Sequence, residues 1–136
     1  MPNWTYNELK VNIDSEQDLK QFYENNKNES SELSFNCAVP LADSDNREAN
    51  WGCKWDASDV GITLNSNSIK YCFNTPWYYP DMWFKAITQK YPLFRFEIVS
   101  SYEGGEPTTK VIFENGKYSY FTLSGWISCD ESFNAL

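Results

Sequence analysis

The residues best suited by type to make or break bonds cluster in Trp51-Gly52-Cys53-Lys54-Trp55-Asp56-Ala57-Ser58-Asp59. Two carboxylates, an ammonium and a thiol stand there beside two indoles. An apolar aromatic wall can raise a carboxyl pKa, and two acids at suitable spacing can cleave a glycosidic bond. One reading is therefore a small hydrolase or glycan-binding protein using Asp56 and Asp59. The competing reading is structural: Trp51 and Trp55 plug the sheet edge while Asp56 or Asp59 caps a turn. The structural reading is preferred, because tuned acid–base sites usually recruit a histidine or a metal and the chain contains no histidine. Cys53 would need an activating base or a positive environment to act as a nucleophile. Lys54 is its neighbour, but adjacent residues on a strand point apart.

No metal or cofactor is expected. Cys37, Cys53, Cys72 and Cys129 lie 16, 19 and 57 positions apart, with no two-residue gap of the zinc-knuckle kind. Buried free thiols are the expectation in a reducing compartment. Asp43-Ser44-Asp45-Asn46 has the opening of a calcium loop, but Arg47 stands at a ligand position and the turn glycine and closing glutamate are missing. A second cluster, Phe73-Asn74-Thr75-Pro76-Trp77-Tyr78-Tyr79-Pro80, offers recognition rather than reaction. Three consecutive rings cannot all face one core, so at least one should be exposed, and aromatic side chains dominate binding hot spots. The candidate partner-binding residues are Trp77, Tyr78, Tyr79, Trp55, Asp56, Asp59, Glu103 and Glu106.

These residues must be positioned by a chain of 136 residues, the size of one domain, with 123–136 as a C-terminal extension. Aromatic residues make up 18% of it, which predicts a ring-rich core. Eleven basic and 19 acidic residues leave a net charge of −8. That balance disfavours direct binding of nucleic acid, where cations must neutralise phosphates, and favours a basic protein partner. No run approaches a membrane span, and the start has neither the basic nor the apolar part of a secretory signal, so the expected location is the cytoplasm.

Trp4 to Ile13 predicts a strand whose phase slips between Tyr6 and Leu9, as at a bulge. Ser15 starts a short helix over 16–25 with Leu19 and Phe22 inward. Leu33, Phe35, Cys37 and Val39 alternate like a strand ended by Pro40. Val60, Ile62 and Leu64 pair across a four-residue turn with Ile69, Tyr71 and Phe73. Pro80-Asp81 opens a helix carrying Trp83, Phe84, Ile87 and Tyr91, which Pro92 ends. Phe94, Phe96 and Ile98 form the next strand. Glu103 to Pro107 is an acidic loop, and Asn115-Gly116 turns a hairpin between Val111/Phe113 and Tyr118/Tyr120. The rings of the tail suggest that it docks. The order predicts an α+β domain: an antiparallel sheet with two helices on one face, plus an inserted and a C-terminal hairpin, derived from a split βαβ pattern.

Five segments carry a resemblance: Met1-Pro2-Asn3-Trp4 with Asn7, Leu33-Ser34-Phe35-Asn36 into Val39-Pro40, Trp51 to Ala57, Phe73 to Trp77, and Phe113-Glu114-Asn115-Gly116. Together they resemble the YubB-type ferredoxin-like domain family. The chain departs from that pattern at Tyr102 to Pro107, which lacks the family's glycine-aromatic-cysteine signature, and in a longer tail. The resemblance implies a ferredoxin-like fold, without an iron–sulfur cluster, and a setting in phages, plasmids and other mobile elements. It supplies no catalytic residues. The expected function is a non-enzymatic, acidic protein-binding module that inhibits a host nucleic-acid-handling defence protein, such as a CRISPR effector or another defence nuclease, by occluding its basic surface. The alternatives are the Asp56/Asp59 hydrolase and a self-associating structural phage component.

Overall fold

A computed structural model describes residues 3–41, 46–103 and 108–123, with the side chain of Leu123 left out. Its elements are β1 (Trp4–Asn12), α1 (Glu16–Asn26), α2 (Phe35–Ala38), α3 (Arg47–Trp51), β2 (Ser58–Leu64), β3 (Ser68–Pro76), α4 (Asp81–Lys90), β4 (Arg95–Tyr102), β5 (Thr108–Glu114) and β6 (Lys117–Leu123). The sheet runs β2-β3-β1-β4-β5-β6, and every neighbouring pair is antiparallel. Two interleaved β-α-β units give the first four strands of that order: β1-α1-β2 leaves room for β3, and β3-α4-β4 leaves room for β1. This is the ferredoxin-like α+β arrangement, extended at one side by β5 and β6.

Local chemistry explains the main elements. Ser15 is extended (φ −90°), and its hydroxyl accepts from the Asp18 amide at 3.2 Å, which caps α1. Glu16 and Asp18 place negative charge at the positive end of that helix. α4 starts after Pro80 with Asp81 in its first turn and ends with Lys90 in its last. Both helices lie on one face: Phe22 of α1 meets Tyr71 and Phe96, and Phe84 of α4 meets Phe96 edge-on at 6.3 Å. Beneath them Leu9, Val11, Ile69, Tyr71, Phe73, Phe96, Ile98 and Val111 are buried. Asn115 (φ 54°) and Gly116 (φ 78°) take the two left-handed positions of the β5–β6 turn.

Two stretches differ from the sequence expectation. Residues 33–39 are not a strand. Ser34 is extended, but Phe35–Ala38 coils into a helical turn, with the Val39 amide donating to the Phe35 carbonyl at 2.9 Å. The cause lies 21 residues downstream: the Asp56 carboxylate accepts from the Phe35 amide and the Ser34 hydroxyl, each at 2.7 Å. The β2–β3 hairpin supplies two of the four ferredoxin-like strands, with β2 at the sheet edge. β1 also carries no bulge, since its register against both neighbours is unbroken. Thr5 and Asn7 occupy the inward positions, and Trp4 and Tyr6 point to the other face. The single irregularity of register described is in β2, between Ser58 and Gly61. The calcium-like stretch at 43–45 and the tail beyond 123 lie outside the described residues. Among those residues no helix is long and apolar enough to cross a membrane.

Candidate interaction site at the aromatic end of the sheet

The start of β1 and the end of β3 meet where Trp4 pairs with Pro76. The chain then turns through 77–80 into α4. Trp77 has φ 67°, a left-handed conformation that is costly for a bulky L-residue. Its amide donates to the Asn3 carbonyl at 2.9 Å, and its side chain is 53% exposed. Tyr78 follows with similar exposure. The turn rests on a buried polar network. Ser100 Oγ donates to Asn7 Oδ1 at 2.6 Å, and Asn7 Nδ2 donates to Thr75 Oγ1 at 2.9 Å. Thr75 Oγ1 in turn donates to the Tyr78 carbonyl at 2.7 Å. Each link consumes a polar atom that would otherwise be stranded, and the chain of bonds fixes the backbone that holds both rings outward.

Trp55 reaches the same end of the sheet. Its ring lies 6.0 Å from that of Trp4, and the Lys54 ammonium stands 5.9 Å from its centroid. Glu103 closes the group. Its carboxylate accepts from the Trp4 amide at 2.7 Å and from the Tyr6 hydroxyl at 3.2 Å, while its own amide donates to the Trp4 carbonyl. Partial desolvation, and then the Glu103 carboxylate, push the Tyr6 phenol above its ordinary range. Trp4 and Tyr6 were not among the candidate binding residues, although the phase slip between Tyr6 and Leu9 was their signature: rings on the opposite face, not a bulge.

The other candidates separate. Tyr79 is half-buried against the core, its ring 4.7 Å from that of Tyr78, and burial raises its phenol. Asp59 is exposed with φ 51° at the β2 irregularity, accepts from Asn74 Nδ2 at 3.3 Å, and borders a hollow of about 180 Å³ with Tyr6, Asn74 and Ser101. Asp56 is a clamp. Besides Ser34 and Phe35, its carboxylate accepts from the Ala57 amide at 2.7 Å. Such a carboxylate ties segments together and is poorly placed to meet a substrate or partner. Glu106 lies outside the described residues.

Cys53 is buried, and burial, followed by Asp56 and Asp81, pushes its thiol up to about 12, the opposite of nucleophile activation. Trp51 does not plug the sheet edge. It packs edge-on against Phe35 in the helical layer and donates from Nε1 to the Val39 carbonyl at 3.0 Å. Gly52 (φ 86°) ends α3 so close to α4 that a Cβ there would stand 1.9 Å from Asp81 Oδ1. Among the described residues no group of three or more Cys, Asp or Glu is arranged to hold a metal ion.

Fold and sequence together define a ferredoxin-like α+β protein. Residues 50–130, more than half of the chain, match the family described as the ferredoxin-like domain in Api92-like protein, and the chain belongs to that family. No curated protein and no solved structure matches it.

Proposed function

We propose that this chain is a YubB-type, non-enzymatic protein-binding module of a phage or plasmid. In the host cytoplasm it occludes a basic, nucleic-acid-handling defence protein, of which a CRISPR effector is one kind. The observation that carries this reading is Trp77: a large apolar ring, half in water, held in a costly backbone conformation by a buried hydrogen-bond network. Strain of this kind persists where the surroundings over-determine it, and it concentrates at functional sites. Trp55 and Tyr78 supply further exposed rings at the same end. Asp59, Glu103 and the net charge of −8 supply the acidic surround that attracts a basic groove.

The test pairs binding with function. Cells carrying an active CRISPR effector are challenged with a targeted plasmid, with and without this protein, and the purified effector is titrated with it. Wild type should raise plasmid survival and compete with nucleic acid for the effector. Trp77→Ala should weaken binding by about 2 kcal/mol or more, roughly thirtyfold. Loss of the effect at high salt should accompany it. Wild type without effect on a panel of such effectors, or a Trp77→Ala variant as active as wild type, would sink the reading.

A further inference from the structure

β2 is an outermost strand of the sheet, with no strand beyond it among the described residues. Its regular part is short. Asp59 (φ 51°) breaks the strand conformation, the register slips between Ser58 and Gly61, and Leu64 is the last residue. Val60-Gly61-Ile62-Thr63-Leu64 forms the remaining edge. Native proteins guard such edges with lysine, proline, a bulge or a cover, because unpaired N–H and C=O groups invite another strand. This edge carries no charge and no proline, and its irregularity guards only the end before it. Gly61 is a second sign. Its φ is not positive, and nothing lies within 4 Å of where a Cβ would stand. Neither conformation nor crowding within one chain calls for glycine there, and a strand glycine often marks the close approach of another backbone. Ile62 pairs with Tyr71 and Leu64 with Ile69 on the helix side, while Thr63 pairs with Lys70 on the other side. Leu64 is 57% exposed.

We propose that a second copy of this chain completes the edge, β2 against β2, antiparallel about a two-fold axis at Ile62. Ile62 is the centre of residues 60–64, and the pattern reads the same in both directions from it: apolar, small, apolar, small, apolar. A two-fold contact requires such self-complementarity, since each residue meets its mirror position. Ile62 would face its own copy, Val60 would face Leu64, and Gly61 would face Thr63. Every apolar side chain of the edge then has an apolar partner on the helix side. Cross-strand pairs of this kind are the unit of sheet stabilisation. The same register sets Asp59 opposite Asn65, so no acid meets an acid. Asp59 and Lys70 are the only charged residues in the hairpin 58–76, which makes this edge neutral in a chain of net charge −8. Beside Leu64 lies a groove of about 340 Å³ between α1 and the hairpin, with Leu19, Tyr23 and Ile69 in its walls. The Val60 of the other copy would come against Leu64 at its rim. Five residues a side fall short of the about 800 Å² per partner of a standard interface, so the dimer should be weak, with a Kd of about 10–100 μM. The charge of −8 on each copy opposes association at long range, and salt screens that repulsion. Salt should therefore strengthen this contact, the opposite of its effect on an acidic surface held to a basic partner.

The test uses the full chain. Sedimentation velocity from about 5 to 500 μM, at about 50 and 500 mM NaCl, should show the average mass climbing from one chain toward two, further at the higher salt. Leu64→Lys and Thr63→Lys alter exposed positions. Each should raise the apparent Kd about tenfold or more, because the altered cross-strand pair occurs twice in the dimer. In a mixture of isotope-labelled and unlabelled wild-type chains, filtered nuclear Overhauser contacts should join Val60 methyls of one copy to Leu64 methyls of the other. These contacts decide the matter alone if neither variant folds. A chain that stays monomeric throughout overturns the proposal. So does a dimer that lacks those contacts, that neither folded variant weakens, or that salt dissociates. A monomer whose Leu64 methyl signals shift when a basic target protein is added also overturns it, and would give the edge to a foreign strand.

Discussion

On its helix side the sheet presents Leu9, Ile69, Tyr71, Phe96 and Val111 to a layer of rings from α1, α2 and α4. On its other side the same strands present Glu8, Lys10, Lys70, Glu97 and Lys110. Both sides contain residues with almost no contact with water, but burial is made tolerable in different ways. Rings need only neighbours, and Phe22 alone has four aromatic ones. Charges need partners: Lys110 Nζ sits 3.3 Å from Glu97 Oε1, and Arg95 Nη2 lies 3.4 Å from the same oxygen. One side gains stability from area, whereas the other spends much of its Coulomb attraction against the cost of desolvation.

Substitution should expose this difference in measured unfolding free energy. Phe96→Ala, on the helix side, should cost about 3–5 kcal/mol, from lost transfer energy and the cavity left behind. Glu97→Ala, one position along and facing the other way, should cost about 3 kcal/mol, because the buried carboxylate that Lys110 and Arg95 share would be lost. For an ion pair open to water the loss would be below about 1 kcal/mol, so the value reads out the burial of this pair. Replacing the pair together, as Glu97→Leu with Lys110→Met, should be about neutral or stabilising. The same double change on a face that gained stability from its ion pair would be destabilising.

Effects of second rank test the helical layer. Gly52→Ala should lose about 2 kcal/mol or more, from the positive φ and the contact with Asp81. Asp56→Ala should lose about 1–2 kcal/mol through the cap it provides, with Phe35 signals in NMR spectra moving most. Alkali acts next. Burial raises the Cys53 thiol from 9.0 to about 12, and raises the Tyr71 and Tyr79 phenols above 10.0. Their protonated forms are thus favoured by the fold, and above pH 9 the unfolded chain releases protons that the folded chain keeps. Stability from these groups is complete below pH 9 and falls as pH rises toward 12 and beyond. Urea midpoints should therefore decline from pH 9 upward, and a midpoint rising over that range would contradict the assigned burial.

Where segments obey local rules, the sequence is readable. α1 follows from Ser15 and the Leu19/Phe22 spacing, α4 from Pro80-Asp81 and its apolar stripe, and the last hairpin from Asn115-Gly116. Misreadings fall where a distant partner overrules a local pattern. Residues 33–39 alternate like a strand, but Asp56 coils them. Polar Asn7 points inward because Thr75 and Ser100, 68 and 93 positions away, satisfy it. Of the candidate site, the exposure of Trp77 and Tyr78 was legible from three adjacent rings. The left-handed backbone at Trp77 was not, since Pro76-Trp77 fits several kinds of turn. Nor was the approach of Trp55 to Trp4, which depends on how β1 lies beside β3.

The backbone at Trp77 leads to an inversion of an ordinary ranking. At most strand or helix positions alanine is the milder truncation and glycine the harsher. At φ 67° the order should reverse, with Trp77→Gly more stable than Trp77→Ala by about 1 kcal/mol, because only glycine sits there without crowding its own carbonyl. Folding alone would thus settle on glycine at this turn, and the indole found there costs the resting molecule a measurable fraction of its stability.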